Sequence, residues 1–203
     1  MVNRTRQCWP DLDLSDLLAK VRDGDQVAWT TLTDRFTNLL WSIARGMRLS
    51  GPDAADAVQT TWLRLIENID SIREPERLGS WLATTARRES SDALRRSARL
   101  RPGALDGAEG WDEVQSVDAP VDDALLRDER DAALWRAMAA LKPACQRLLR
   151  VMIADPPPSY AEISAALDIP MGSIGPSRQR CLKCLREILL AQDDGFRPDV
   201  REG

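Results

Sequence analysis

The sequence predicts an all-α fold: two small helical domains joined by a flexible acidic linker, the C-terminal one a helix-turn-helix. Three observations predict it. Apolar residues recur at helical spacing from Leu14 to Leu189, and period-2 runs of Val, Ile and Thr are missing. Charge is segregated into basic, acidic and basic blocks. Residues 159–187, SYAEISAALDIPMGSIGPSRQRCLKCLRE, read as two helices about a tight turn.

The elements follow in order. Residues 1–13 are polar and irregular, and read as a tail. The first helix starts at Leu14, with Ser15-Asp16 as its cap and Leu17, Leu18 and Val21 inside, before Gly24 interrupts. Residues 26–48 form the second, with Trp29, Leu32, Phe36, Leu39, Leu40, Ile43 and Met47 on one side. Ser50-Gly51-Pro52 breaks it. The third helix, 53–69, carries acidic residues in its first turn, where the helix dipole favours them. Its apolar set is Ala57, Val58, Thr61, Trp62, Leu65 and Ile66. Residues 72–77 read as a loop, since Pro75 and the charges disfavour a regular element. The fourth helix, 78–98, carries Trp81, Leu82, Ala86 and Leu94.

Residues 77–101 hold seven Arg against Glu89 and Asp92. Residues 104–131 hold ten Asp or Glu against Arg127 and Arg130, among glycines and few large apolar residues. Such a composition buries too little to order itself, so residues 101–122 read as a linker. The first domain is then 14–100, the second 123–191, and 192–203 a C-terminal tail. Within the second domain, residues 123–141 are helical again. Another helix runs from Lys142-Pro143 to Ala154, and Pro156-Pro157-Pro158 is a stiff spacer.

The last pair of helices has the clearest local grammar. Ser159 and Glu162 stand at capping-box spacing. Tyr160, Ile163, Ala166 and Leu167 recur at helical spacing, and Asp168 falls where the turn wants a left-handed residue. Ile174, Cys181, Leu182, Leu185, Ile188 and Leu189 give the second helix an apolar side. Gly175, Pro176, Gln179, Arg180 and Lys183 lie on another. Such a helix can enter the major groove and present Arg and Gln to base edges. An ordinary helical hairpin with a solvated basic face has the same pattern. Pro176 removes an amide donor, so that helix is expected to bend or to start its regular turns late.

Length, charge and cysteine usage bound the function. The chain has 203 residues and a formal net charge of −4, so nucleic-acid binding must come from local basic patches. No apolar run is long enough to span a bilayer, and residues 1–13 lack a signal-peptide pattern, which predicts a cytoplasmic protein without membrane insertion. Cys8, Cys145, Cys181 and Cys184 are then expected to be reduced. Cys181-x-x-Cys184 has no second Cys pair and the chain has no His, so no zinc site is expected; helical spacing in a buried seam explains Cys181 better. No glycine-rich phosphate loop and no Cys–His or Ser–His pairing is present, which argues against an enzyme and implies no cofactor.

Several segments resemble the σ70 class of bacterial σ factors, in the small two-domain extracytoplasmic-function form (group 4). Gly24-Asp25 through Phe36 to Asp53-Ala54-Ala55-Asp56-Ala57-Val58-Gln59 resembles the family's polymerase-binding part. Ser80-Trp81-Leu82-Ala83-Thr84-Thr85-Ala86-Arg87-Arg88 resembles its promoter-melting helix, with Arg88 where Asn is often found. Leu141-Lys142-Pro143-Ala144, Ser159-Tyr160-Ala161-Glu162-Ile163 and Gly172-Ser173-Ile174 resemble its −35-reading domain. There Gly175-Pro176 replaces the usual Lys-Ser or Arg-Ser. The order and spacing of these segments around an acidic linker make the combination specific.

The resemblance implies an alternative sigma factor that binds core RNA polymerase and directs promoter-specific initiation through −10 and −35 elements. Residues 14–100 would be σ domain 2 and 123–191 σ domain 4. Asp56, Gln59, Thr60, Leu63 and Arg64 would dock on the β′ clamp helices, although a solvated helix face looks the same. Domain 4 would meet the β flap. Ser71, Ile72, Arg73, Arg77, Trp81, Thr84, Arg87, Arg88, Arg95 and Arg96 would hold the −10 strand, with Arg87, Arg88, Arg95 and Arg96 on phosphates. Trp81 either stacks on a base or packs in the core, and its place on the apolar side favours the core. Ser173, Gly175, Pro176, Arg178, Gln179, Arg180 and Lys183 would line the −35 groove. Many relatives are held by an anti-σ factor, a family-level expectation here. The rival reading is a free-standing helix-turn-helix regulator, which would bind promoter DNA tightly without polymerase.

Overall fold

A computed structural model describes residues 13–100 and 121–194. Eight α-helices appear among them: α1 (Leu14–Arg22), α2 (Gln26–Gly46), α3 (Gly51–Asn68), α4 (Leu78–Leu100), α5 (Val121–Ala140), α6 (Pro143–Met152), α7 (Tyr160–Leu167) and α8 (Met171–Asp194). No strand occurs among the described residues, so the all-α expectation holds.

Capping chemistry sets the helix starts. Asp13, not Ser15-Asp16, caps α1, its carboxylate accepting from the Ser15 amide at 3.3 Å. Gly24 sits at φ +83°, a left-handed conformation that costs glycine little and turns α1 into α2. Asp25 then caps α2, accepting from the amides of Val27 and Ala28 at 2.8 and 3.1 Å. Ser50-Gly51-Pro52 is both a stop and a start. Arg48 at φ 61° ends α2, and Ser50 caps α3. Pro52 occupies the first turn, where an amide would have no intrahelical partner. The expected loop at 72–77 is tighter than anticipated: single 3₁₀ turns cover Ile69–Ser71 and Pro75–Arg77.

The buried residues form one cluster, not two. Leu17, Leu18, Leu32, Leu40, Leu65 and Leu82 from α1–α4 are continuous with Leu148, Val151, Ile163 and Ile174 from α6–α8. We call α1–α4 the N-terminal lobe and α5–α8 the C-terminal lobe. Of the expected tails at 1–13 and 192–203, residues 1–12 and 195–203 lie outside the described residues, as does the expected linker through residue 120, whereas Asp13 caps α1 and residues 192–194 continue α8. At the linker's far end α5 already begins at Val121, so residues 121 and 122 are helical.

The cysteine expectation is corrected. Cys145 of α6 and Cys181 of α8 form a disulfide, with their Cα atoms 5.3 Å apart. The packing of α6 against α8 places them there, at a sequence separation of 36 that no local pattern reveals. Cys184 is free and exposed.

Candidate nucleic-acid interface

Helices α7 and α8 are set by the polar residues at their ends. The Ser159–Glu162 capping box is complete: Glu162 N donates to Ser159 Oγ at 3.3 Å, and Ser159 N donates to Glu162 Oε2 at 2.6 Å. Asp168 closes α7 at φ 58°, ψ 48°, in the left-handed region. Helix α8 begins at Met171, ahead of Pro176, so the expected late start is not observed. Ile174 and Cys181 are buried, and Leu185 and Ile188 pack behind them. That leaves Pro176, Arg178, Gln179, Arg180 and Lys183 on the exposed side, with Ser173 and Gly175 half-buried beside them. A Cβ at Gly175 would meet open space outside the helix. Arg180 Nη2 donates to Ser177 Oγ at 3.2 Å, and Lys183 lies 4.0 Å from Glu187. Both are exposed pairs, easily given up for a phosphate or a base edge.

A second basic strip runs along α4 and the turn before it. Arg88 and Arg96 are exposed, and Arg95 pairs with Asp92. Thr84 is half-buried and Thr84 Oγ1 donates to Ser80 O at 2.9 Å. Trp81 is half-buried and packs against the core, which is the side its helical spacing favoured. Ser71 and Arg73 are exposed, Ile72 is half-buried, and Arg77 pairs with Glu74 at 2.7 Å. One residue that the sequence reading missed holds this turn. Arg22, at the end of α1, donates from Nε and Nη2 to Ile69 O at 3.2 and 2.9 Å, and from Nη2 to Ile72 O at 2.7 Å. Three guanidinium bonds to two carbonyls fix the path of residues 69–72. No signal marks this role, because Arg22 looks like any basic residue in a last helical turn.

A third surface lies on α3. Asp56, Gln59, Leu63 and Arg64 are exposed and Thr60 half-buried, while Ala57, Val58, Thr61 and Leu65 face inward. Leu63 and Ile66 are 51 % and 54 % exposed, so this face presents apolar side chains among its polar ones. Arg64 pairs with Glu67 at 3.0 Å and Glu89 at 3.5 Å. Those two carboxylates, Glu67 first, hold its guanidinium still more firmly protonated than usual.

Arg87 departs from the rest of its strip. It is turned toward the C-terminal lobe, with Nη1 3.3 Å from Asp168 Oδ2. Its Nε is buried and bonds to nothing among the described residues.

Residues 32–100, which contain α3, the turn and α4, match the sigma-70 region 2 family. Across the whole chain, the ECF RNA polymerase sigma-E factors of Escherichia coli (strain K12) and Salmonella typhimurium (strain LT2) are each 24 % identical over 191 residues. Those alignments cover 91 % of this chain and 95 % of each relative. Both comparisons support a sigma factor of the extracytoplasmic-function type. Solved structures share the fold. CnrH, in complex with the cytosolic domain of CnrY, is 22 % identical with a TM-score of 0.54, covering 86 % of this chain and 96 % of CnrH. The sigma factor RpoE of Bartonella quintana, in complex with the anti-sigma factor NepR, is 20 % identical with a TM-score of 0.55, covering 77 % and 94 %.

Proposed function

We propose that this chain is an extracytoplasmic-function sigma factor that binds core RNA polymerase and directs promoter-specific initiation through −10 and −35 elements. The observation that carries the proposal is the end-to-end similarity to sigma-E factors together with the region 2 match. The surfaces divide the work. On α3, Asp56, Gln59, Thr60, Leu63 and Arg64 surround an apolar patch, suiting a helical protein partner such as the β′ clamp helices. The exposed side of α8 carries Arg178, Gln179, Arg180 and Lys183, the donors that base edges and phosphates of a major groove accept. It would read the −35 element while the C-terminal lobe meets the β flap.

The turn held by Arg22, with Ser71, Ile72, Arg73 and Arg77, would receive bases of the opened −10 strand. Arg87, Arg88, Arg95 and Arg96 would follow its phosphates. Trp81 supports that surface from the core side. The protein acts in the cytoplasm as a polymerase subunit and not as an enzyme. Among the described residues, no helix is long and apolar enough to cross a membrane. An anti-σ factor fits the reading, since a relative of the same fold is held by one.

Co-purification tests the first step. Tagged protein mixed with core polymerase should elute as a stoichiometric complex, and the complex should retard a cognate promoter fragment that the free chain does not. Tight sequence-specific binding by the free chain, with no complex formed, would favour the free-standing regulator.

A further inference from the structure

The start of α8 carries residues that a helix does not favour and that this fold does not require. Gly172, Gly175 and Pro176 all fall within residues 171–176, at the beginning of the helix. Glycine weakens a helix interior. Proline removes an amide donor, here the one that would bond the Gly172 carbonyl. A close neighbour that left no room for a side chain would explain the glycines, but none is present. A Cβ at Gly172 or at Gly175 would meet nothing within 4 Å, and neither residue has a positive φ. Pro176 is exposed. What calls for these residues therefore lies outside the chain.

The buried side of α8 is fixed by Ile174, Cys181, Leu185 and Ile188. By helical period the opposite line runs through Gly172, Pro176, Gln179, Lys183 and Arg186, all of them exposed. Along this line no polar side chain comes before Gln179. Arg180 stands to one side, bonded to Ser177. A helix that reads the major groove places its N-terminal residues against base edges. Glycines there let the backbone come close, and the Pro176 ring and the Gln179 amide are then the side chains that meet the bases.

Resting on the sigma-factor reading above, we propose that Pro176 and Gln179 set the −35 preference of this chain by selecting A·T pairs. The proline ring offers an apolar surface without a donor. It fits the thymine methyl, which is the apolar group on the major-groove edge. A guanine in the same place would turn two acceptors toward a ring that cannot satisfy them. Gln179 fits adenine, its amide NH2 donating to N7 and its carbonyl accepting from the N6 amine. Three residues of helix rise about 4.5 Å and one base step about 3.4 Å, so the two contacts fall on the same pair or on adjacent pairs. Lys183 and Arg186, about one and two turns further on, are left for phosphates at the groove wall.

Selection by the holoenzyme tests this. Core polymerase loaded with this protein would be offered promoter fragments randomised over the −35 region, and the bound fragments sequenced. Two kinds of probe are then built on the selected sequence. Deoxyuridine in place of one thymine removes only the methyl, and 7-deazaadenine in place of one adenine removes only the N7 acceptor. Wild-type holoenzyme should select A·T at adjacent positions. It should lose about fourfold in affinity on one deoxyuridine probe and about tenfold on one 7-deazaadenine probe. Pro176→Ser should lose the response to deoxyuridine alone, and Gln179→Ala the response to 7-deazaadenine alone. Both side chains are exposed, so circular dichroism of the variants should match wild type. Selection of G·C at those positions, or indifference of the wild type to both probes, overturns the proposal. So does a variant that keeps the response it should lose. Failure of the sigma-factor reading looks different: no complex forms with core polymerase, or the complex selects the same fragments as core alone.

Discussion

Gln146 lies at the joint between α5 and α6, and its removal should destabilise the fold by a predictable amount. Helix α5 ends at Ala140, and its last carbonyls have no intrahelical donors. Gln146 Nε2 supplies them, donating to Ala139 O at 2.8 Å and Leu141 O at 2.7 Å. The side chain is only 6 % exposed, so water does not replace it readily. Gln146→Leu keeps the volume and removes both donors. Leaving the buried Leu141 carbonyl unpaired costs about 1–3 kcal/mol, and the partly exposed Ala139 carbonyl about 0.5–1 kcal/mol. The added apolar burial returns about 1 kcal/mol. The net loss is about 2 kcal/mol, which for a chain of this size lowers Tm by about 4–8 °C. Gln146→Glu removes the same donors and turns a carboxylate oxygen toward two carbonyls, but pairs its other oxygen with the Arg48 guanidinium, so its loss should be of similar size. Thermal melts followed by circular dichroism measure both. A Tm for Gln146→Leu within about 1 °C of wild type would refute the capping role.

Three further outcomes follow from the proposed surfaces. Arg180→Ala should weaken holoenzyme binding to the −35 element by about 1–3 kcal/mol and relax preference at one base pair. Uniform weakening on every sequence would make it a phosphate anchor instead. Asp56→Ala and Gln59→Ala should lower affinity for core polymerase in a pull-down while circular dichroism stays unchanged, since both side chains are exposed. Unchanged binding in both would move the clamp contact elsewhere. Arg22→Ala should free residues 69–72 and reduce promoter opening, read with permanganate, while leaving −35 binding intact; normal opening would show that the turn needs no clamp.

What was legible in the sequence was local. The Ser159–Glu162 box and the left-handed Asp168 involve residues within a helical turn of one another, so spacing alone predicts them. Most of the inward set of α3 follows from period, as does the half-buried place of Trp81, but Ile66, expected inside, is 54 % exposed. Ser50-Gly51-Pro52 was read as a break because Gly and Pro disfavour helix interiors. The same residues suit a first turn, so α3 starts earlier than expected. What stayed hidden were pairings between distant segments. Arg22 meets carbonyls near residue 70, and Cys145 meets Cys181. Glu162 meets Gly79, which carries no side chain to signal a contact. For the same reason the buried cluster that runs through both lobes leaves no mark in the sequence.

The central claim is that this chain gives polymerase its promoter choice, and run-off transcription tests it most directly. Purified core polymerase would be incubated with genomic DNA of the source organism, with and without the protein, and the 5′ ends of the transcripts sequenced. The account predicts starts at a defined set of positions, present only when both proteins are added and sharing −10 and −35 sequences upstream. Starts that are identical with and without the protein, or no transcript with it, would contradict the account.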